Sequence, residues 1–252
     1  MLGGTAVSVA PRHGTRWYTS TCMVEDRVAS AIAHSFLADV PPETLDRLLE
    51  GAVLEDVAAG TTTYRAGGEP RPSLIVSGIF RSYFAGPDGR QVTVRYAREG
   101  DMLGVVAAHG GPAPLHVQAL TDAERLRIDI ERLRDIAQHD VTVAWAMTGE
   151  LTNTVYALWH ELAATAFASV PQKVARHLLE IAAREQEADG GVLMAHVSQQ
   201  ELADLAGSVR EVVARALREL RDEGVVRVTR SGIEVLDPVL LSARAWPRDL
   251  GH

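Results

Sequence analysis

Arg210, Arg215 and Arg218 follow one another at helical spacing, and Glu211 lies directly beside the first of them. A guanidinium group can donate two hydrogen bonds to O6 and N7 of guanine, and a carboxylate can accept one from the amino group of cytosine. These side chains therefore suit the reading of base edges in a DNA major groove. We assign base contacts to Arg210, Glu211 and Arg215, and a phosphate contact to Arg218.

A helix-turn-helix is predicted around these residues. Ser198 is a good N-cap for the first helix, and Glu201, three residues later, completes a capping box. Gly207 permits the left-handed backbone of a tight break. Ser208 is expected to cap the second helix, with Glu211 at its third position. The alternative is an ordinary helical hairpin whose arginines form a solvated face.

The residues that follow the two helices are predicted to complete a winged helix. Sequence 223–237 predicts a strand, a turn at 230–232 and a second strand, which places Arg227 and Arg230 where a wing meets phosphates. The first helix has a predicted apolar face of Leu202, Ala203, Leu205 and Ala206, and the second has one of Val212, Val213, Ala216, Leu217 and Leu220. Caps, turn and wing agree, so DNA binding is favoured over the solvated hairpin.

Bulk composition limits where nucleic acid can bind. The 252 residues include 25 Lys and Arg against 33 Asp and Glu, for a net charge of −8. DNA affinity must therefore come from a local patch, because counterion release depends on where the charge lies. Cys22 is the only cysteine, which excludes an internal disulfide and a cysteine-held cluster and fits a cytoplasmic location. No apolar run approaches the roughly 20 residues of a membrane span, so no membrane partner is expected.

The segment 53–130 predicts a small antiparallel roll. Short apolar runs alternate with glycine-containing turns, and GPDGRQ at 86–91 is a strong hairpin signal. A long helix is predicted from about 144 to 168, because apolar or small residues recur in it at alternating steps of four and three. These positions are Ala144, Thr148, Leu151, Val155, Leu158, Leu162 and Thr165. The pattern favours a dimer seam, and packing on the chain's own domain is the alternative.

The sequence from about 24 to 240 resembles the Crp/Fnr family of bacterial transcription regulators. The motif REVVAR at 210–215 is similar to the family's recognition helix, and SQQEL at 198–202 to its first helix, which implies that Gln199 and Gln200 lie near the DNA backbone. The glycine-punctuated stretch 74–104 looks like its effector roll. The resemblance implies a homodimer on a near-palindromic operator, with RNA polymerase as a further candidate partner.

The segment after Gly104 departs from the family's cyclic-nucleotide site. The resemblance implies a Glu-Leu pair after this glycine and, later, an Arg-Ser or Arg-Thr pair that holds the phosphate. Val105 and Val106 stand at the first pair, and Ala113 and Pro114 fall near the second. A buried phosphate without a cation is costly, so we predict no dependence on cAMP and no cofactor. An apolar pocket for an uncharged ligand and a filled pocket that binds nothing both remain open.

Two other functions would use the histidines. His109 or His116 is the candidate axial ligand of a haem sensor, and a cupin-like metal enzyme would need clustered histidines with a glutamate. Two glycines and two prolines separate the two histidines, and no nucleophile–base arrangement is visible. The sequence therefore favours a regulator that is not an enzyme.

The expected fold class is α+β, with an N-terminal antiparallel β-roll of cyclic-nucleotide-binding type, a long dimerisation helix and a C-terminal winged helix-turn-helix. The predicted boundaries are a disordered tail at 1–23, the roll at 24–143, the dimerisation helix at 144–168, the DNA-binding domain at 169–243 and a second tail at 244–252.

Overall fold

The computed structural model describes residues 7–8, 20–87, 91–189 and 192–245. Their helices are Ser20–Ala33 (α1), Pro42–Leu49 (α2), Ala107–Gly110 (α3), Ile130–His139 (α4), Val141–Phe167 (α5), Val170–Asp189 (α6), Gln199–Ala206 (α7), Arg210–Asp222 (α8) and Pro238–Ala245 (α9). Their strands are Val7–Ser8 (β1), Val53–Val57 (β2), Thr62–Tyr64 (β3), Ser73–Ser77 (β4), Phe80–Ala85 (β5), Gln91–Ala97 (β6), Met102–Leu103 (β7), His116–Ala119 (β8), Ala123–Arg127 (β9), Met194–Ala195 (β10), Val226–Val228 (β11) and Ile233–Val235 (β12). Within these ranges, no helix is both long and apolar enough to cross a membrane.

Two antiparallel sheets form the N-terminal roll, as predicted. One has the strand order β1-β2-β9-β4-β7 and the other β3-β8-β5-β6. Strand β4 is buried along nearly its whole length because it lies between two neighbours and under α1, which explains its apolar sequence SLIVS. β5 and β6 pair around the predicted hairpin, whose turn residues 88–90 lie outside the described part of the chain.

A glycine is required where the chain passes from β4 to β5. Gly78 has a φ of +82°, and a Cβ added to it would lie 2.5 Å from the Cβ of Ala123 and 2.7 Å from the carbonyl oxygen of Asp122. Other residue types rarely adopt this backbone conformation, and here they would also clash with β9. The close approach of the two strands therefore depends on this position.

The element boundaries differ from the expected ones at both ends. Strand β1 pairs with β2, and α1 begins at Ser20, so a strand and the first turn of a helix lie within the segment expected to be a tail at 1–23. Val28 and Ala31 of α1 are buried, and this packing on the roll is why the helix belongs to the domain. At the other end, α9 continues to Ala245, beyond the expected boundary at 243.

The long helix α5 has two different faces. Val143, Met147 and Glu150 are buried on the roll. Leu158 and Leu162 of the predicted seam are 43% and 71% exposed in the single chain. The side chain of Thr165, the last predicted seam residue, lies outside the described part. The helix therefore packs on its own domain at its start and leaves an apolar stripe uncovered further along.

The winged-helix domain packs directly on the roll. Ile79 and Leu120 of the roll belong to the same apolar core as Val174 and Leu178 of α6. Gln118 Nε2 in β8 donates a hydrogen bond to the carbonyl oxygen of Ala183 in α6 at 3.0 Å. Polar and apolar contacts thus join the two domains over the β5–β8 side of the roll.

Candidate functional site

The first helix of the helix-turn-helix is held by the predicted capping box. Ser198 Oγ accepts a hydrogen bond from the amide of Glu201 at 3.2 Å, and the Glu201 carboxylate accepts one from the amide of Ser198 at 2.8 Å. The hydrogen bonds from Ser198 lower the pKa of Glu201 below its ordinary value. Gly207 ends the helix with a φ of +62°, so the predicted left-handed break is confirmed.

Two local predictions in this motif are wrong. The N-cap of α8 is Val209, with no side-chain cap, and Ser208 lies one residue earlier. The amide of Ser208 donates to the carbonyl oxygen of Ala203 at 2.9 Å, so this residue closes α7 and does not open α8. Leu205 is 52% exposed because it lies outside the buried face of α7, which consists of Leu202, Ala203 and Ala206.

Helix α8 presents its charged residues to solvent. Val213, Ala216, Leu217 and Leu220 are buried against the domain core, and Val212 is half-buried beside them. The opposite face is exposed and carries Arg210, Glu211, Arg215 and Arg218. Burying one apolar stripe thus aims the predicted base-reading side chains outward.

Ion pairing separates the arginines of residues 198–245, which form the helix-turn-helix, the wing and α9, into two groups. Three are held by carboxylates, in the pairs Arg221–Asp222 (2.8 Å), Arg227–Glu234 (3.0 Å) and Arg244–Glu223 (2.7 Å). Within the described ranges, no carboxylate is ion-paired with the other group, which consists of Arg210, Arg215, Arg218 and Arg230. The second group contains the arginines assigned to DNA apart from Arg227, whose pairing with Glu234 the sequence did not reveal.

A cleft of about 390 Å³ lies between the start of α7 and the wing. Ser198 and Gln199 line it on one side, and Thr229 and Arg230 line it on the other. Gln200 is exposed next to it and bonds Asp204 at 3.0 Å. Sequence reasoning missed His196, which also lines the cleft and contacts Glu185 at 2.9 Å. Its position two residues before the Ser198 N-cap is the feature of the sequence that could have indicated this.

A second cavity, of about 270 Å³, lies between the roll and α5. All five residues predicted for the effector pocket line it, namely Gly104, Val105, Val106, Ala113 and Pro114. Strands β5 and β6 supply Ser82, Phe84 and Val94, and α5 supplies Glu150, Thr154 and Leu158. The cavity wall is therefore formed jointly by the predicted loop, the roll and the long helix.

Three cationic side chains line this cavity, although the segment after Gly104 supplies none of them. Arg71, Arg95 and Arg125 line it. Arg71 comes from the loop before β4, Arg95 from β6 and Arg125 from β9. Arg125 is bound by Glu55, with Nε at 3.0 Å and Nη2 at 2.8 Å from one carboxylate oxygen. Folding therefore places positively charged side chains at the cavity, but carboxylates already pair with much of this charge.

A buried carboxylate on α5 pairs with the second arginine. Glu150 Oε1 accepts a hydrogen bond from Arg95 Nη2 at 3.0 Å, and Asp101 contacts the same nitrogen at 3.3 Å. Burial raises the pKa of Glu150 above its ordinary value, although the Arg95 charge acts in the opposite direction. Arg95 Nη1 also donates to Thr154 Oγ1 at 3.1 Å, so this cluster ties α5 to β6.

The two histidines considered as haem ligands are not among the residues that line the cavity. His109 is exposed on α3, and His116 is stacked on the Tyr83 ring with centroids 5.1 Å apart. Among the described residues, no group of three or more His, Cys, Asp or Glu side chains is placed to hold a metal ion.

Two family models match the chain, and together they span well over half of it. A cyclic nucleotide-binding domain model matches residues 54–140, and a Crp-like helix-turn-helix model matches residues 172–244. The chain belongs to the Crp/Fnr family of transcription regulators. The first match covers the roll with its cavity, and the second covers the exposed arginine face and the wing, so both candidate sites lie within matched regions.

Similar transcriptional regulators cover most of the chain. A CRP-like cAMP-activated global transcriptional regulator of Mycobacterium tuberculosis is 28% identical over 211 residues, which are 82% of this chain and 94% of the relative. The transcriptional regulator LdrP of Thermus thermophilus is 29% identical over 188 residues, or 73% and 92% of the two chains. A crystal structure of a crp/fnr-family protein from Eubacterium rectale matches 82% of this chain and 96% of its own, with 22% identity and a TM-score of 0.55, which supports the fold.

Proposed function

We propose that this Crp/Fnr protein is a homodimeric regulator that reads a near-palindromic operator with α8. The observation that carries the proposal is that some arginines of this region are ion-paired with carboxylates and others are not. The exposed face of α8 and the wing tip keep guanidinium groups without an ion-paired carboxylate among the described residues, whereas neighbouring arginines are neutralised. In a chain of net charge −8, such a local concentration of free positive charge suits a polyanion.

The roles follow from position on the domain. Arg210, Glu211 and Arg215 lie toward the start of α8 and are proposed to contact bases. Arg218 and Arg230 are proposed to contact phosphates. Backbone-contact roles are proposed for Ser198 and Gln199 at the cleft, for Gln200 beside them and for Ser208 in the turn before α8. A weaker phosphate role is proposed for Arg227, because Glu234 neutralises it.

The uncovered stripe of α5 is the proposed dimer interface. Val155, Leu158 and Leu162 are exposed in the single chain, and Leu151 beside them is half-buried. Burying these side chains against a second copy is favourable at about 25 cal/mol for each Å² of apolar surface. Such a dimer would present its two α8 helices to half-sites about 34–36 Å apart.

The proposed response does not depend on cAMP, although the relative from Mycobacterium tuberculosis is named as cAMP-activated. Val105, Val106, Ala113 and Pro114 give the predicted loop no polar side chain toward a phosphate. The proposal assigns no reaction to the protein, places it in the cytoplasm and includes RNA polymerase as a candidate partner.

The proposal is tested by selecting operators from a DNA pool with the full chain and measuring affinity by fluorescence anisotropy, with and without cAMP. Arg210→Ala is expected to cost about 1–3 kcal/mol on the selected operator and to relax the base preference at one position. Arg221→Ala is the matched control, because Arg221 lies on the same helix but is paired with Asp222. Unchanged operator preference in Arg210→Ala would refute the base assignment, and a large gain in affinity with cAMP would refute the cAMP independence.

A further inference from the structure

We propose that the cavity between the roll and α5 binds a small, uncharged, mainly apolar molecule whose polar group donates a hydrogen bond to Glu150. This inference rests on the proposed function, since it defines the ligand class of the effector pocket of that regulator. Three properties of the cavity support it: its size and lining, the pairing of its arginines, and the position of one buried carboxylate.

The size and the lining suit a compact apolar molecule. An engineered apolar cavity of about 150 Å³ accommodates benzene. The volume here is about 270 Å³, which suits a ligand with a fused pair of small rings. The apolar wall includes Val94, Leu103, Val105, Leu115, Val117 and Leu158.

The charges of the cavity do not suit an anion. Arg125 is bound by Glu55, and Arg95 is bound by Glu150 and Asp101, so an anionic ligand would have to compete with carboxylates that are already in place. Breaking a partly buried pair leaves one charge uncompensated, which is strongly unfavourable. Arg71 is the most accessible of the three, because its side chain is 48% exposed. Its Nη2 also lies 3.4 Å from a carboxylate oxygen of Glu69.

The polar end of the cavity offers a hydrogen-bond acceptor. Glu150 is buried, and the donor that the described residues give its carboxylate is Arg95, at 3.0 Å. A carboxylate can accept up to about four hydrogen bonds, so a ligand N–H or O–H group has sites to bind. Glu150, Thr154 and Leu158 follow at intervals of one turn along α5. The ligand would therefore lie along the same helix that carries the proposed dimer seam.

Three probes of similar shape separate these properties in isothermal titration calorimetry of the full chain. Indole is uncharged and has one N–H donor, 1-methylindole lacks the donor, and indole-2-carboxylate is an anion. Indole is expected to bind one molecule per chain. 1-Methylindole should bind about ten- to a hundredfold more weakly, because it leaves the acceptor unmatched. Indole-2-carboxylate should bind at least about a hundredfold more weakly, because carboxylates already hold Arg95 and Arg125 and solvent screens the charge of the half-exposed Arg71.

Two phenylalanine substitutions locate the binding. Ala113→Phe fills the cavity from its wall and is expected to abolish indole binding. Ala66→Phe is the matched control, because Ala66 is exposed and does not line the cavity. If Ala113→Phe does not fold, Glu150→Leu serves instead. Leucine has no hydrogen-bond acceptor, so this variant should bring the affinities of indole and 1-methylindole within about threefold of each other.

Three results would contradict the proposed ligand class. Tighter binding of indole-2-carboxylate, displacement of indole by cAMP, or no binding of indole at all would each overturn the proposed ligand class. The calorimetry contains no DNA, so operator binding by the same preparation is measured separately. A preparation that reads its operator but fails to bind indole refutes this inference alone, and one that binds indole but no DNA refutes the proposed function.

Discussion

Glu234→Gln on the wing should increase the affinity for DNA. Glu234 and Arg227 face each other on paired strands, and Arg227 Nη1 donates to the Glu234 carboxylate at 3.0 Å. The arginine is largely exposed, whereas the glutamate is mostly covered. Replacing the carboxylate with a neutral amide keeps the shape of the side chain and releases the guanidinium group, which can then bind a phosphate.

The size of the effect follows from counterion release. Each phosphate neutralised by an arginine adds about −0.9 to the slope of log K against log salt concentration. One new contact in each half-site would steepen the slope of a dimer by about 1.8. At roughly 0.15 M salt this corresponds to about a fivefold gain for one contact and at most about thirtyfold for two.

Anisotropy titrations of one operator between roughly 0.05 and 0.3 M salt measure both the affinity and the slope. The double variant Arg227→Ala/Glu234→Gln should lose most of the gain, because the released charge is gone. Glu223→Gln is the matched control, since it frees Arg244 on α9 and not on the wing. An unchanged slope in Glu234→Gln, or an equal gain in the control, would contradict a phosphate contact by Arg227.

Three further predictions concern stability and are checked by denaturant unfolding. Ser198→Ala should cost about 1 kcal/mol because it removes the side-chain cap of α7, whereas Ser208→Ala should cost far less, because the Ser208 side chain caps no helix and its backbone bond to Ala203 is kept. Gly78→Ala should cost at least about 2 kcal/mol, because it adds a 2.5 Å clash to a positive φ, and Gly67→Ala should show the backbone cost alone. The pKa of Glu150 is raised in the folded protein, so folding favours its protonated form and this contribution is lost as the pH rises from about 4.3 through the folded value. The stability of the wild type relative to Glu150→Gln should therefore fall over that range, and a flat difference would contradict the burial effect.

The winged helix could be predicted because its signals are local. A capping box, a left-handed glycine and an apolar stripe each occupy a few consecutive residues, and each acts through the backbone of its own segment. The two local errors have the same origin. Ser208 has the right residue type for an N-cap, but the turn after Gly207 is one residue longer than expected, so Val209 occupies the cap.

The charge of the effector cavity could not be predicted from its loop. The stretch after Gly104 contains no Arg or Lys, but Arg71, Arg95 and Arg125 reach the same cavity from other parts of the roll. Their proximity depends on strand pairing between residues far apart in sequence, and so does the neutralisation of Arg125 by Glu55. The spacing of residues within a motif gives no information about the proximity of these arginines or about the neutralisation of Arg125.

One sheet of the roll lies between the cavity beside α5 and the winged-helix domain. Because side chains alternate along a strand, β8 directs Val117 into the cavity and Gln118 to the opposite face, where its amide donates to the Ala183 carbonyl in α6. In the same way, β5 directs Ser82 into the cavity and the fully buried Arg81 to the opposite face. Arg81 Nε donates a hydrogen bond to Gln118 Oε1 at 2.6 Å. Two adjacent strands of the roll therefore contribute both to the wall of the cavity and to the contacts that hold α6.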